Sequence, residues 1–256
     1  MKIVVGIPCY NCEGQISRAL TEIDSVLAQN PQIEAVYIID NQSPDATIQN
    51  AINSIKTLQH RSLFSVYRNV TNVGLGGTHK VAFNLAKQNN FSHLMIFHGD
   101  HQASAFDITN LLAESKLSFN ITTLGARFIN LSLLNGYSAI RIVGNIGLNF
   151  LYTLATFKKI YDLGSGLNLF RIQDFDFDEV KYFDNGFTFN MDLLLNIIER
   201  KIEFKYVPIS WSTTDQISNA HALKVGIKTL IKLLNWLINK KAKSSANYQT
   251  ELIFSG

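Results

Sequence analysis

The sequence predicts an α/β fold organised around a mostly parallel sheet. Strand-like and helix-like patterns alternate through the first hundred residues, and strands joined by helical crossovers lie parallel. Four of the strand-like runs also end in polar residues, as the ligand-bearing rim of an open parallel sheet does.

The elements follow in order. KIVVGIP is a short buried strand, and Glu13 to Gln29 is a helix with Ile16, Leu20, Ile23 and Leu27 at helical spacing. Ala35 to Asp40 is the second strand, and Ala46 to Leu58 the second helix, carrying Ile48, Ala51, Ile52 and Ile55. LFSVYR, ending at Arg68, is the third strand, Thr78 to Asn89 the third helix and His93 to His98 the fourth strand.

The second half is less regular. Strands are expected at Thr122 to Arg127, Leu167 to Arg171 and Phe204 to Pro208, with helices at Ala139 to Phe157, Phe189 to Arg200 and His221 to Lys241. In the last helix Lys224, Lys228 and Lys232 form one stripe, while Leu223, Ile227, Leu230, Leu234 and Leu237 line another face. The last dozen residues are expected to be frayed or loosely docked. Residues 1–215 therefore form the domain, and 216–256 an amphipathic helix and tail suited to contact a membrane or a second subunit.

Composition narrows the function. A chain of 256 residues with 46% apolar residues is ample for one large core. A net charge of +3 is too weak for a nucleic-acid binder. The opening MKIVVGIPCYN has too short an apolar run for a signal peptide. Ile142 to Phe157, the longest uncharged apolar stretch, contains Asn145 and Asn149 and is too short to span a bilayer. A cytoplasmic protein is expected, with room for peripheral contact on the inner face of the membrane. Cys9 and Cys12 are spaced as a thioredoxin-like dithiol. Nothing else fits that fold, so two reduced thiols at the end of the first strand are the favoured reading.

The rim groups are Pro8-Cys9-Tyr10-Asn11, Asp40-Asn41, Arg68-Asn69 and His98-Gly99-Asp100. The sharpest signal is His98-Gly99-Asp100-His101-Gln102. In an extended tip residues two apart point the same way. His98, Asp100 and Gln102 then converge as imidazole, carboxylate and amide oxygen, a set suited to a divalent metal. The competing reading is a polar turn before a helix at Phe106. The run Asp174, Asp176, Asp178 and Glu179, interleaved with Phe175 and Phe177, reads as a solvated edge rather than a metal loop.

Taken in order, these segments resemble family 2 glycosyltransferases. IPCYN is similar to I-P-x-Y-N, IIDNQSPDAT to V-D-D-G-S-x-D-x-T, and NVGLGGTHKVAFNLA to N-x-G-x-G-x-A-x-N-x-G-x-x-x-A. HGDHQ resembles D-x-D-x-Q, Gly125-Ala126-Arg127 resembles G-S-R, IYDLGSGLNLFR resembles I-x-D-x-x-S-G-F-R-x-F, and PISW resembles P-I-x-Y. The resemblance spans roughly the first 210 residues. The nearest branch is that of the polyprenyl-phosphate sugar synthases.

The resemblance implies a single GT-A domain and a metal-dependent, inverting transfer from a UDP- or GDP-sugar. It places Pro8, Tyr10, Asn11, Asp40, Asn41, Asn72, Gly74 and Gly76 at the donor nucleotide, with Gly77 beside them. A dinucleotide fingerprint does not fit these glycines, which follow the third strand and lack its spacing. It makes Asp100 the essential metal ligand, with His98 and Gln102 beside it. Asp162 is the second acid, as base or as the group that orders Leu163-Gly164-Ser165-Gly166. Arg127 and Arg141 stand where the branch flanks an acceptor phosphate, and Asn145 stands where it has a serine.

Three departures matter. Asn41 replaces a second Asp, which bears on nucleotide preference. His98 replaces an Asp, and imidazole favours manganese over magnesium. Asp215 to Ala220 reads DQISNA, with Ser218 but no adjacent lysine, which weakens a lipid-phosphate acceptor against a lipid-linked or surface glycan. Two rivals keep less of the chemistry: a nucleotide-sugar-binding protein without turnover, and a structural partner in a membrane-bound assembly.

Overall fold

The computed structural model describes residues 1–117, 121–215, 222–238 and 248–256. Strands β1 (Ile3–Cys9), β2 (Ile33–Asp40), β3 (Phe64–Asn69) and β4 (His93–Phe97) alternate with helices α1 (Ile16–Leu27), α2 (Thr47–Ile55) and α3 (Gly74–Gln88). Helix α4 (Asp107–Leu117) leads to β5 (Thr122–Ala126), the two-residue β6 (Leu134–Asn135), α5 (Ala139–Thr156) and β7 (Leu167–Arg171). The short α6 (Phe177–Val180), α7 (Phe189–Glu199), β8 (Phe204–Pro208), β9 (Trp211–Ser212), α8 (Ala222–Leu237) and β10 (Thr250–Ser255) follow.

One eight-stranded sheet has the order β10-β3-β2-β1-β4-β7-β5-β8, and β6 pairs with β9 beside it. Strands β1 to β4 run parallel. Strand β7 is antiparallel to both β4 and β5, and β8 runs with β5. The expected mostly parallel α/β sheet is present.

The pleat divides the core in two. Ile3, Val5 and Ile7 of β1 pack with Leu20 and Ile23 of α1 and Leu111 of α4. Val4, Leu94 and Ile96 pack on the other side with Val81 and Phe83 of α3 and Leu193 of α7. Every residue of β1 is buried, as a central strand covered on both faces must be.

Three expectations need correction. The tail is not frayed: β10 pairs antiparallel with β3, and Val70 N donates to Gln249 O at 3.0 Å. It covers a sheet edge that would otherwise present unpaired backbone groups. Helix α3 begins at Gly74 rather than Thr78, so the glycines form its first turn. The lysine stripe of the last helix is split, because Lys232 Nζ bonds both carboxylate oxygens of Asp192 on α7 at 2.6 Å.

Helices α5 and α8 pack on each other with their apolar stripes outward. Helix α5 buries Asn149, Tyr152 and Thr156. Asn149 Nδ2 donates to Tyr161 O at 2.7 Å, and Tyr152 Oη to Thr229 O of α8 at 2.9 Å. Helix α8 turns Thr229 and Leu233 inward and leaves Leu223, Ile227, Leu230, Leu234 and Leu237 exposed. Among the described residues no helix is long and apolar enough to cross a membrane. Ser218, His221 and Lys241, singled out above, lie outside the described residues.

Candidate functional site

Strand order reverses at β1, which lies between β2 and β4, and a crevice opens beyond the carboxyl ends of strands at such a point. Its floor is held by side chains bonding backbone. Both oxygens of the buried Asp40 accept from Ser43 N, at 3.3 and 3.0 Å, and Arg68 Nε stands 3.5 Å away. Burial pushes the Asp40 carboxyl up, while Ser43 and Arg68 oppose that shift. Ser43 Oγ accepts from Asn11 N at 3.1 Å, holding Asn11 at its φ of 52°.

The Asn41 amide fastens the loop between β3 and α3. Its Oδ1 accepts from Asn69 Nδ2 at 3.1 Å and from Val73 N at 2.9 Å, and its Nδ2 donates to Asn72 Oδ1 at 2.9 Å. Asn72 Oδ1 also accepts from Gly74 N at 3.0 Å. A Cβ at Gly74 would stand 2.4 Å from Asn185 O, and one at Gly76 2.3 Å from Asp184 O. These four residues were expected at the nucleotide. Their side-chain bonds and close contacts shape the loop and its packing on residues 184–186, while Pro8 is buried within β1 and Tyr10 and Asn11 are exposed just beyond it.

The β4 tip is a turn, not an extended strand, so side-chain alternation does not apply to it. His101 N bonds His98 O at 3.4 Å, and His101 has φ 54°. Gly99 settles this path: its N donates to Pro8 O at 3.1 Å, and a Cβ there would lie 2.5 Å from Cys9 Sγ. Cys9 and Cys12 are free, buried thiols beneath the turn, and burial pushes Cys9 well above its usual pKa, as befits an inert thiol. His101 points elsewhere, its Nε2 at 2.7 Å from Glu22 Oε2.

What the turn brings together is narrower than expected. Asp100 Oδ1 accepts from Gln102 N at 3.3 Å, and Gln102 Nε2 donates to Thr213 Oγ1 at 3.2 Å. His98 Nε2 stands 3.0 Å from His79 Nε2. Burial lowers the His98 pKa, with Arg127 adding to the shift and Asp100 opposing it; burial raises that of Asp100, against the pull of His98. Among the described residues no three His, Cys, Asp or Glu side chains form a metal-holding group. The three expected ligands, one carboxylate, one imidazole and one amide, each have a protein partner of their own here. By residue type they suit a cation whose remaining positions are filled by phosphate oxygens and water.

Beyond β5 the site is built on a buried ion pair. Arg127 Nε and Nη2 donate to Asp162 Oδ2 and Oδ1, both at 2.8 Å. Arg127 N and Gly164 N each add a bond to Asp162 at 3.0 Å. The guanidinium lies 5.0 Å from the ring of Phe128 and 4.9 Å from that of Trp211. Burial disfavours its charge, yet pairing with Asp162 raises its pKa overall. Asp162, expected as a base or an ordering group, orders the loop: four N–H donors already fill its carboxylate, and its side chain is 1% exposed.

Asn145 Nδ2 donates to Arg141 O at 2.7 Å and to Tyr137 Oη at 3.5 Å. Tyr137 stacks edge-on to Phe128 at 6.0 Å, which sets the first turns of α5 beside Arg127. The acidic run from Asp174 is a surface edge, with Asp176 accepting from Asp178 N and Asp178 paired to Lys181. Sequence reasoning missed His79, Glu22 and Thr213. Their signal is weak, because each serves the site only through a distant partner. Trp211, inside PISW, was within reach of the motif.

A model of the family described as Glycosyl transferase family 2 matches residues 4–177. An uncharacterized protein of Methanocaldococcus jannaschii is 22% identical over 234 residues, 91% of each chain. In fold the chain is similar to mannosyl-3-phosphoglycerate synthase from Rubrobacter xylanophilus, with TM-score 0.66 and 11% identity over 94% of this chain and 74% of that one. It is also similar to glucosyl-3-phosphoglycerate synthase from Mycobacterium tuberculosis in complex with UDP, with TM-score 0.64 and 12% identity over 93% and 80%. A further structure of that synthase, holding Mn2+, UDP-glucose and phosphoglyceric acid, matches with TM-score 0.64 at 12% identity over 93% and 80%.

Proposed function

The chain belongs to glycosyl transferase family 2, and on that premise we propose that it transfers a sugar from a UDP- or GDP-sugar, with inversion, to a phosphate-bearing lipid or lipid-linked acceptor. The observation that carries this reading is the Asp100 turn, tied to the β1 tip by Gly99 N and Pro8 O at 3.1 Å. It sets a carboxylate at the switch-point crevice, where a donor diphosphate would lie. Solved proteins of this fold hold Mn2+ and UDP-glucose, which supports the same pairing here. Asp100, His98 and Gln102 would hold the ion, and Tyr10 and Asn11 would line the donor side, with Asp40 ordering the turn beside them. When bound, the cation supplies Lewis-acid stabilisation of the leaving diphosphate.

The chain's own residues do the rest. Arg127, held rigid by Asp162 between two aromatic rings, and Arg141 in the first turn of α5 would supply positive charge for an acceptor phosphate. Asp162 is fully engaged, so the ion pair offers no general base. A phosphate nucleophile, already anionic at neutral pH, needs none, and this favours it over a hydroxyl acceptor. The outward stripe favours a lipid. Helices α5 and α8 expose Ile140, Val143, Phe150, Leu154, Leu223 and Leu234. They carry no Asp or Glu, and Arg141, Lys158, Lys159, Lys224 and Lys228 flank them. That is the pattern of helices that lie on an anionic bilayer surface, here the inner face of the membrane. A homodimer through the same stripe is the second reading, because exposed apolar faces also bury against copies.

The test is transfer from UDP- and GDP-sugars to a polyprenyl phosphate in anionic vesicles, with Mn2+ or Mg2+, for the native chain and His98→Asp. Transfer with Mn2+ above Mg2+ is expected, with the gap narrowed in His98→Asp. Equal magnesium activity in both proteins would remove the manganese preference. Transfer to soluble 3-phosphoglycerate alone would remove the lipid acceptor. Nucleotide-sugar binding without turnover would leave only the binding protein.

A further inference from the structure

Residues 248–250 straddle the loop between β3 and α3. At the start of that loop Val70 N donates to Gln249 O at 3.0 Å, and Thr250 Oγ1 donates to Arg68 O at 3.1 Å. At its end the Tyr248 ring lies against the first turn of α3, where a Cβ at Gly77 would stand 3.2 Å from Tyr248 Cε1. The Tyr248 hydroxyl donates to Asn185 Oδ1 and accepts from Lys80 Nζ at 3.1 Å. Lys80, buried on α3, also donates to Asn185 Oδ1 at 2.8 Å, to Lys181 O at 3.1 Å and to Phe183 O. The glycines of α3 pack on the same segment: Gly77 N donates to Asn185 O at 3.2 Å, and a side chain at Gly74 or Gly76 would meet the carbonyls of Asn185 and Asp184. From the other side Asp192 Oδ2 accepts from Asp184 N at 2.7 Å, and Lys232 of α8 holds that carboxylate. Two C-terminal elements, α8 and the run 248–250, therefore hold the segment on which the loop rests.

The loop in turn is tied to the β1 tip. Asn41 Oδ1 accepts from Val73 N at 2.9 Å, and Asn41 N donates to Cys9 O at 2.8 Å, next to Tyr10. Resting on the donor reading above, we propose that Tyr248 is a positioning residue for the donor nucleotide. It clamps residues 70–77 against 184–186 and, through Asn41, sets the β1 tip at which Tyr10 and Asn11 would meet the nucleotide. Tyr248 acts only through that loop. Its ring carries most of the clamp: an ammonium has three N–H donors, so Lys80 keeps three acceptors when the hydroxyl is removed, whereas loss of the ring uncovers Gly77. Linkage makes the effect reciprocal, because a clamp that tightens nucleotide binding is itself held closed by bound nucleotide to the same degree.

Amide hydrogen exchange and calorimetric titration of UDP and of GDP, in buffer containing Mn2+, test this on the full chain. Tyr248→Ala is expected to speed exchange across residues 70–77 while leaving α1 unchanged. It should weaken binding of the nucleotide that the native chain takes about fivefold or more, and Tyr248→Phe, which keeps the ring on Gly77, should recover most of that affinity. In the native chain the bound nucleotide should slow exchange in β10. Unchanged exchange across 70–77 in Tyr248→Ala, or nucleotide affinity equal to that of the native chain, would overturn the clamp and leave the donor reading standing. No slowing in β10 when the native chain is saturated with nucleotide would overturn the clamp without recourse to any variant. Binding of neither UDP nor GDP by the native chain would overturn the donor reading and this inference together.

Discussion

Helices α1 and α5 both carry apolar stripes at helical spacing, and they turn them in opposite directions. Helix α1 buries Ile16, Leu20 and Ile23 completely and Leu27 to 4% exposure. Helix α5 leaves Ile140 81%, Val143 70%, Phe150 59% and Leu154 55% exposed while burying Asn149, Tyr152 and Thr156. Periodicity shows that a helix has two faces; the partner beneath decides which face turns inward. Beneath α1 lies the apolar face of β1. Beneath α5 lie the carbonyls of Tyr161 and Thr229, which need donors when buried. The same contrast divides the site. The half proposed for the donor is stiffened by neutral amide bonds around Asn41, the half proposed for the acceptor by the Arg127–Asp162 ion pair.

The comparison breaks most visibly at that pair. Asp162→Asn leaves a buried guanidinium without its counter-charge, and about 3–5 kcal/mol of stability should be lost in urea unfolding. A loss under about 1 kcal/mol would show that the pair does not hold the loop at Gly164. The two helices give the next effect. Leu20→Ala should cost about 2–5 kcal/mol, and Leu154→Ala no more than about 0.5 kcal/mol. Equal costs would mean that α5 faces inward after all.

The smallest effect concerns Lys80, buried on α3 with Nζ donating to Lys181 O at 3.1 Å, Asn185 Oδ1 at 2.8 Å and Tyr248 Oη at 3.1 Å. Burial pulls its pKa down to about 8, with Lys232 adding to the shift and Asp192 and Asp184 opposing it. Between that pH and the ordinary lysine value the unfolded chain binds more protons than the folded one. Stability contributed by this group should therefore rise with pH across that window. Lys80→Met should flatten the rise; an unchanged slope would contradict the burial.

The fold of the first half was legible because local rules and tertiary demands agree there. The run of β1, the spacing in α1 and the polar strand ends all point one way, and the family segments lie where those strands end. The β4 tip was misread because alternation holds only in extended backbone, and the close fit of Gly99 over Cys9 is a contact between strands that no local pattern reveals. The contact of His79 was invisible for a related reason: it is made to the ring of His98 on another element. The tail was misread because its residues gain order only by covering the edge of β3. Asp162 was ambiguous between base and brace until its four donors were seen.

The central claim is that the crevice between β1 and β4 holds a nucleoside diphosphate together with a divalent cation at Asp100. Calorimetric titration of UDP and of GDP, with and without Mn2+, into the native chain and Asp100→Asn tests it most directly. One nucleotide should bind with Mn2+ present, and Asp100→Asn, folded as judged by circular dichroism, should lose about tenfold or more in affinity, since a charged contact is worth roughly 1.5–3 kcal/mol. Equal Mn2+-dependent affinity in both proteins, or no binding of either nucleotide, would contradict it.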